Sequence, residues 1–207
     1  MLKTVWGLDG EYPRPIPTQN VGLRSSMALG IAVRTEGCRM VSPQIVSKSG
    51  TITLEAGLGE VFPLFGPVRE MDWAEGWNPK ILTGDPDHVA EHMVFETESG
   101  HPEDRNPATW IVSKYDPDRA YIEYTVYTQK RLWWIAVSCR AHEGANTTEA
   151  AIEYTYLGLD EDANRHNRDA LERMFRHDLK DWQAAINHYL RTGKVLRHSH
   201  PEHHSHE

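Results

Sequence analysis

Cysteine is almost absent: the 207 residues contain only Cys38 and Cys139. Two cysteines make no disulfide framework and offer no metal-type spacing, so a reducing cytoplasm is the simplest setting. Long apolar runs are missing too. The longest, Met27 to Val33 and Leu132 to Val137, fall far short of the roughly 20 residues that span a bilayer. The N-terminal stretch has acidic groups and Pro13, Pro15 and Pro17 where a secretory signal needs an apolar segment. Positive charge is in deficit, with 22 Lys and Arg against 30 Asp and Glu and a net charge of -8. That argues against nucleic acid, whose affinity comes largely from cationic contacts to phosphate, and against insertion at an anionic membrane. The sequence also lacks a phosphate loop, a dinucleotide glycine fingerprint, a G-x-S-x-G elbow and an H-E-x-x-H pair. Nucleotide chemistry, triad hydrolysis and zinc proteolysis lose their usual instruments.

What is present suits a single packed core, with 39% hydrophobic residues. Residues 1–47 carry five basic and three acidic groups, residues 194–207 two and two, and residues 48–193 carry 15 and 25, a charge of -10. The first segment, with Pro43 as well, reads as a flexible extension, the last as a disordered tail, and 48–193 as the folded domain.

Within that domain Ser49 to Ala56 alternates like a strand. Glu60 to Trp77 carries apolar residues about three apart, interrupted by Pro63, Gly66 and Pro67, which suits two short helical turns. The pattern then becomes period two. Strands are expected at Lys80–Thr83, His92–Thr97, Thr109–Tyr115, Ala120–Thr128, Arg131–His142 and Thr147–Leu157. Turn signals separate them at Gly84-Asp85-Pro86, Gly100-His101-Pro102, Asp116-Pro117-Asp118 and Glu143-Gly144-Ala145-Asn146, and such short connections imply antiparallel neighbours. One face is greasy, with Ile122, Tyr124, Val126, Trp133, Ile135, Val137, Cys139, Ala150, Ile152, Tyr154 and Tyr156. The other carries Glu123, Arg140, Glu149 and Glu153. Asp160 to Arg191 has an apolar stripe through Leu171, Met174, Phe175, Leu179, Trp182, Ile186, Tyr189 and Leu190, with Gly193 as a stop. A long amphipathic helix after a one-sided antiparallel sheet packs on its dry face, so the fold class is α+β.

Three groups of residues bear on chemistry. Five of the twelve histidines, His198, His200, His203, His204 and His206, crowd the tail and would capture a divalent cation only adventitiously, since nothing nearby fixes a geometry. His166, His177 and His188 recur every 11 residues along the helix, too far apart to share a metal. No metal site or cofactor is expected. Arg69, Glu70 and Asp72 sit beside Trp73 and Trp77. Either Arg69 and Glu70 pair with each other or with strand residues, or a carboxylate near the indoles is raised in pKa and serves as a general acid or base, for which Glu70 is the candidate. Trp73, Trp77, Trp110, Tyr124 and Trp133 give more aromatic bulk than a helix-on-sheet core usually needs, and either fill the core or line a pocket.

The order strand, two short helices, six strands and long helix resembles the helix-grip fold of the START/Bet v 1-like superfamily, also called SRPBCC or polyketide cyclase/dehydrase-like. Val61 to Trp73 followed by Gly76-Trp77, together with Thr109-Trp110, Tyr115-Asp116-Pro117 and Asn187-His188-Tyr189-Leu190-x-x-Gly193, resembles an uncharacterised bacterial branch of it. Gly66 stands where that branch often has cysteine. The resemblance covers residues 48–193 and implies a curved antiparallel sheet of about seven strands around the C-terminal helix, with a cavity between them. That cavity would be lined by Arg69, Glu70, Trp73, Trp77, Trp110, Tyr124, Trp133 and Tyr154, and by Met174, Phe175 and Trp182 of the helix. The leading expectation is a cytoplasmic binding protein for a small, largely apolar ligand, with Arg69 or Glu70 orienting its polar end. It would work alone or as a homodimer. The alternatives are a polyketide cyclase or dehydratase in which Glu70 shuttles a proton while Trp110 and Tyr124 hold the substrate, and a co-chaperone-like interaction module.

Overall fold

A computed structural model describes residues 44–98 and 107–197. Cys38, the extension up to Pro43, the turn at Gly100-His101-Pro102 and the histidines from His198 onward lie outside the described residues, as do the side chains of Met174 and His177.

Seven strands form one antiparallel sheet in the order β1-β7-β6-β5-β4-β3-β2. They are β1 (Ile45–Leu54), β2 (Lys80–Thr83), β3 (Val94–Thr97), β4 (Ala108–Asp116), β5 (Tyr121–Tyr127), β6 (Arg131–Ala141) and β7 (Thr148–Gly158). Between β1 and β2 lie a one-turn helix α1 (Leu58–Val61) and two 3₁₀ turns, Phe62–Phe65 and Arg69–Asp72; the long helix α2 (Glu161–Thr192) ends the fold. The expected α+β helix-grip architecture is the one observed.

The dry face is where the alternation puts it: every residue named for it is buried, from Ile122 on β5 to Tyr156 on β7. The opposite face is less uniformly polar than expected, because Ile45, Ile111 and Tyr127 stand exposed on it. β1 also begins four residues before the sequence pattern places it, with Ile45 paired to Leu157 and Lys48 to Tyr154. Its first residues are poorly buried on both faces, so periodicity carries no signal there although the backbone ladder does.

Local chemistry fixes the boundaries of α2. Asp160 caps it by accepting from Ala163 N at 2.6 Å, and Gly193 closes it in the left-handed conformation at φ 65°, donating to Tyr189 O at 2.7 Å. Its position on the sheet is set at β1. A side chain at Gly50 would place its first carbon 2.4 Å from Leu179 Cδ1, so any larger residue there would have to displace the Leu179 side chain. Thr53 N donates to Gln183 Oε1 at 3.0 Å, Glu55 N to Asn187 Oδ1 at 2.9 Å, and Asn187 Nδ2 back to Thr53 O at 3.2 Å. Side chains of α2 thereby occupy backbone groups of an edge strand that would otherwise be open to another chain.

Candidate functional site

The segment between β1 and β2 is held by its own indoles. Trp73 Nε1 donates to Leu64 O at 2.8 Å and Trp77 Nε1 to Pro67 O at 2.7 Å, so each tryptophan ties its turn to the one before. Between them the Arg69–Asp72 turn presents neighbouring charges in different directions. Arg69 is exposed and donates through Nε to Asp72 Oδ2 at 2.6 Å and through Nη2 to Tyr189 OH at 3.3 Å; Tyr189 OH in turn donates to Asp72 Oδ2 at 3.2 Å. The expected pairing of Arg69 with Glu70 is therefore not what forms. The i,i+3 reach within a 3₁₀ turn gives Arg69 to Asp72, and the triangle fastens this turn to the end of α2. Arg69 lines two open hollows of about 370 and 280 Å³ on the outside of this segment.

Glu70 is half-buried, and no hydrogen bond or ion pair reaches its carboxylate from the described residues. Its oxygens are not sealed by packing either, since Asn167 Nδ2 is the one described polar side-chain atom that is both enclosed and unpartnered. Burial drives the carboxyl well above the ordinary carboxylate range. Its charge acts on Tyr124, whose phenol is held well above its usual range by burial first, then by the Glu70 charge and by Tyr115. Tyr124 OH donates to Phe65 O at 2.7 Å, which leaves its oxygen free to accept a hydrogen bond but commits its proton. A carboxyl raised in this way holds its proton to higher pH than an ordinary glutamate does.

Pairing register explains how the rings meet. Ile81, Phe95, Trp110, Val126, Trp133, Tyr156 and Val46 are consecutive partners across all seven strands, forming one row on the inner face. Trp110 stacks on Phe95 at 5.5 Å and meets Trp77 at 5.3 Å, Tyr124 at 5.8 Å and Trp133 at 6.5 Å between centroids. Trp133 continues to Tyr156 at 5.7 Å, Tyr156 to Tyr154 at 6.4 Å, and Tyr154 to Phe175 at 5.7 Å and Trp182 at 6.3 Å; Trp182 meets Trp73 at 5.5 Å. Trp73, Trp77, Trp110, Tyr124, Trp133, Tyr154, Phe175 and Trp182 thus belong to one continuous chain of rings. Met174 lies in α2 between Leu171 and Phe175, with its side chain outside the described residues.

Three participants were missing from the sequence-based set. Tyr156 joins the two halves of the ring chain and Phe95 carries Trp110. Both were legible in principle, Tyr156 on the dry face and Phe95 in an expected strand, but only register puts them in the row. Asn167, on α2, is fully buried; its Oδ1 accepts Arg131 Nε at 2.7 Å, which fixes the amide orientation and leaves Nδ2 without a partner. Arg131 lies over the Tyr156 ring at 6.0 Å, so this amide stands near the β7 end of the row.

Other candidates are ordinary. His166 is exposed, with Nδ1 2.9 Å from Asp162 O. Among the described residues no three His, Cys, Asp or Glu side chains gather as a metal ion would require. Cys139 is buried and its thiol is pushed up to about 12 by burial, so it stays protonated and is no nucleophile. A side chain at Gly66 would meet Val89 Cγ2 at 2.9 Å and Pro63 O at 3.2 Å, so the cysteine of the similar bacterial branch could enter only if Val89 shifted.

No protein-family model matches the chain, and no curated protein matches it in sequence. Solved structures do match in fold. The norcoclaurine synthase of Thalictrum flavum aligns with a TM-score of 0.56 and 11% identity over 84% of this chain and 99% of its own. The Zhui aromatase/cyclase of Streptomyces sp. R1128 gives 0.54 and 13% over 74% and 100%. Ara h 8.0201 gives 0.53 and 10% over 72% and 99%. The architecture is the helix-grip fold that these structures share. Among the described residues no helix is long and apolar enough to cross a membrane.

Proposed function

We propose that this helix-grip protein binds a small, largely apolar, aromatic ligand between the inner face of its sheet and α2, with Glu70 as the polar anchor. The observation that carries the reading is the continuous run of aromatic rings along the inner face, with Glu70 a half-buried carboxyl that no hydrogen bond or ion pair engages among the described residues. A carboxyl to which the fold gives no partner is free to meet one on a ligand. Arg69 has no such role in this reading, since Asp72 and Tyr189 hold it on the outside. A cytoplasmic setting follows from the scarcity of cysteine and the acidic domain.

Native mass spectrometry of the protein from its own host tests the proposal. The expected result is a stoichiometric adduct of low polarity that is lost on denaturation. If the host protein carries none, and the purified chain also fails to bind an apolar dye such as 1-aminoanthracene, the reading falls.

One observation favours a second reading, an enzyme of cyclase or dehydratase type. The raised carboxyl of Glu70 is suited to moving a proton to or from a substrate lying on Trp110 and Tyr124. Structures with this fold include an aromatase/cyclase and a synthase, as their names state. Glu70→Gln separates the readings: an enzyme loses turnover by about 100-fold or more while retaining its ligand, whereas a binding protein has no turnover to lose.

A further inference from the structure

We infer that two copies of this chain associate through an apolar patch on the outer face of the sheet, the face turned away from α2. The surface is separate from the inner face, so the association does not depend on what binds there.

Strand register assembles the patch. Tyr127, Leu132, Leu157 and Ile45 are consecutive partners across β5, β6, β7 and β1, so they form one row. All four alternate with inner-face residues, which puts them on the outer face. In the next outer row Ile111 and Trp134 lie on either side of Thr125. Ile45 is 62% exposed, Tyr127 50% and Ile111 36%, and the other three apolar residues are half-buried. The six together expose about 400 Å², the size of the largest apolar patch on a typical monomer and close to the apolar share, about 450 Å², that one partner gives to an interface of standard size.

The charges around the patch bear on what covers it. Toward the other end of the strands stand Lys114 with Glu123 at 3.5 Å and Arg140 with Glu149, and the apolar row itself continues through Thr109 to Glu96 with Lys80 at 3.7 Å. Each of these cations has its anion on the same face, and Glu153 is the one acid of these rows outside such a pair. The rim therefore presents pairs rather than a field of one sign, and gives a strongly basic or acidic partner little to meet. What fits is another apolar surface with a rim of paired charges, and a second copy supplies one. Two sheet faces stacked with their strands about 30° apart bring row against row, and a two-fold axis lets both copies bury the same patch at once. The assembly closes as a dimer, with no free patch to carry it further.

Sedimentation equilibrium of the full chain, from about 1 to about 200 µM, tests this. The expected result is a monomer–dimer equilibrium with half-association at about 10 µM, the weak end for an interface of this size. It tightens by about 3-fold as salt rises from about 50 to about 500 mM, because screening relieves the repulsion between two chains of net charge -8 and leaves apolar burial intact. Tyr127→Glu and Ile45→Lys each weaken association by about 10-fold or more, with circular dichroism and melting as in the wild type because both side chains are exposed. Lys114→Ala, on the same face outside the patch, leaves association unchanged. A full chain that stays monomeric at the highest concentration overturns the proposal, whether the patch is then bare or shielded by other residues of the same chain. So does growth beyond a dimer, a dimer that both patch variants leave intact, or one that Lys114→Ala dissolves and Tyr127→Glu does not.

Discussion

The two flanks of the sheet are fastened in different ways. On the β1–β7 flank, α2 is joined through side chains that bond directly to strand backbone, at Thr53, Glu55 and Gly158, and through the close approach at Gly50. On the β3–β5 flank the cover is the short segment of turns between β1 and β2. It is attached by rings and by single bonds such as Tyr124 OH to Phe65 O. One flank is a frame whose loss dismantles the fold; the other is a cover whose attachments are separately removable. Glu70 belongs to the second.

That contrast orders the expected effects of substitution. Asn187→Ala strikes the frame: it strips two backbone groups of β1 of their partner and is expected to cost about 2–4 kcal/mol, read from chemical denaturation, with loss of near-ultraviolet ellipticity as α2 loosens. A cost below about 1 kcal/mol would show that the two flanks are equally dispensable. Tyr124→Phe strikes the cover and should cost about 1–2 kcal/mol, for one lost bond to a buried carbonyl. Its denaturation slope should stay unchanged, since the rest of the frame is intact.

Glu70→Gln acts with the opposite sign. With the folded pKa raised above the ordinary 4.5, the folded protein keeps a proton that the unfolded chain releases, so the wild type loses stability as pH rises from about that value through the folded pKa. Glutamine removes this penalty. The variant should therefore melt above the wild type at pH 8, with the difference closing toward pH 4; a constant difference across that range would mean that Glu70 is not held neutral by the fold. Smallest of all is Arg69→Ala, about 0.5 kcal/mol, because the Arg69–Asp72 pair is exposed.

The frame was the more legible flank in the sequence. Asp160 and Gly193 announce the ends of α2, and the alternation in Tyr121–Tyr127 and Arg131–Ala141 announces which face is dry, because those signals are local. The residue types of the site were legible too, since Glu70 among tryptophans is unusual wherever it lies. Its relations were not. Whether Arg69 turns to Glu70 or to Asp72 depends on a 3₁₀ geometry that neighbouring prolines and a glycine make hard to foresee. That Phe95, Trp110, Trp133 and Tyr156 share one row depends on strand register, which is a property of pairs of strands. Asn167 could not be singled out, because an asparagine within a helical stripe gives no sign that half of its amide will go unpartnered.

The row across the inner face also bears on how such a protein can change. Each of its rings is supplied by a different strand, and none contributes to the ladder through its side chain. Replacing Trp110 by a smaller residue alters one step in the outline of the inner face and removes its indole bond to Thr97 Oγ1 at 2.9 Å, while the backbone ladder is unchanged. The shape of the inner face is therefore divided among positions on different strands, while the backbone pairing and α2 hold those strands together.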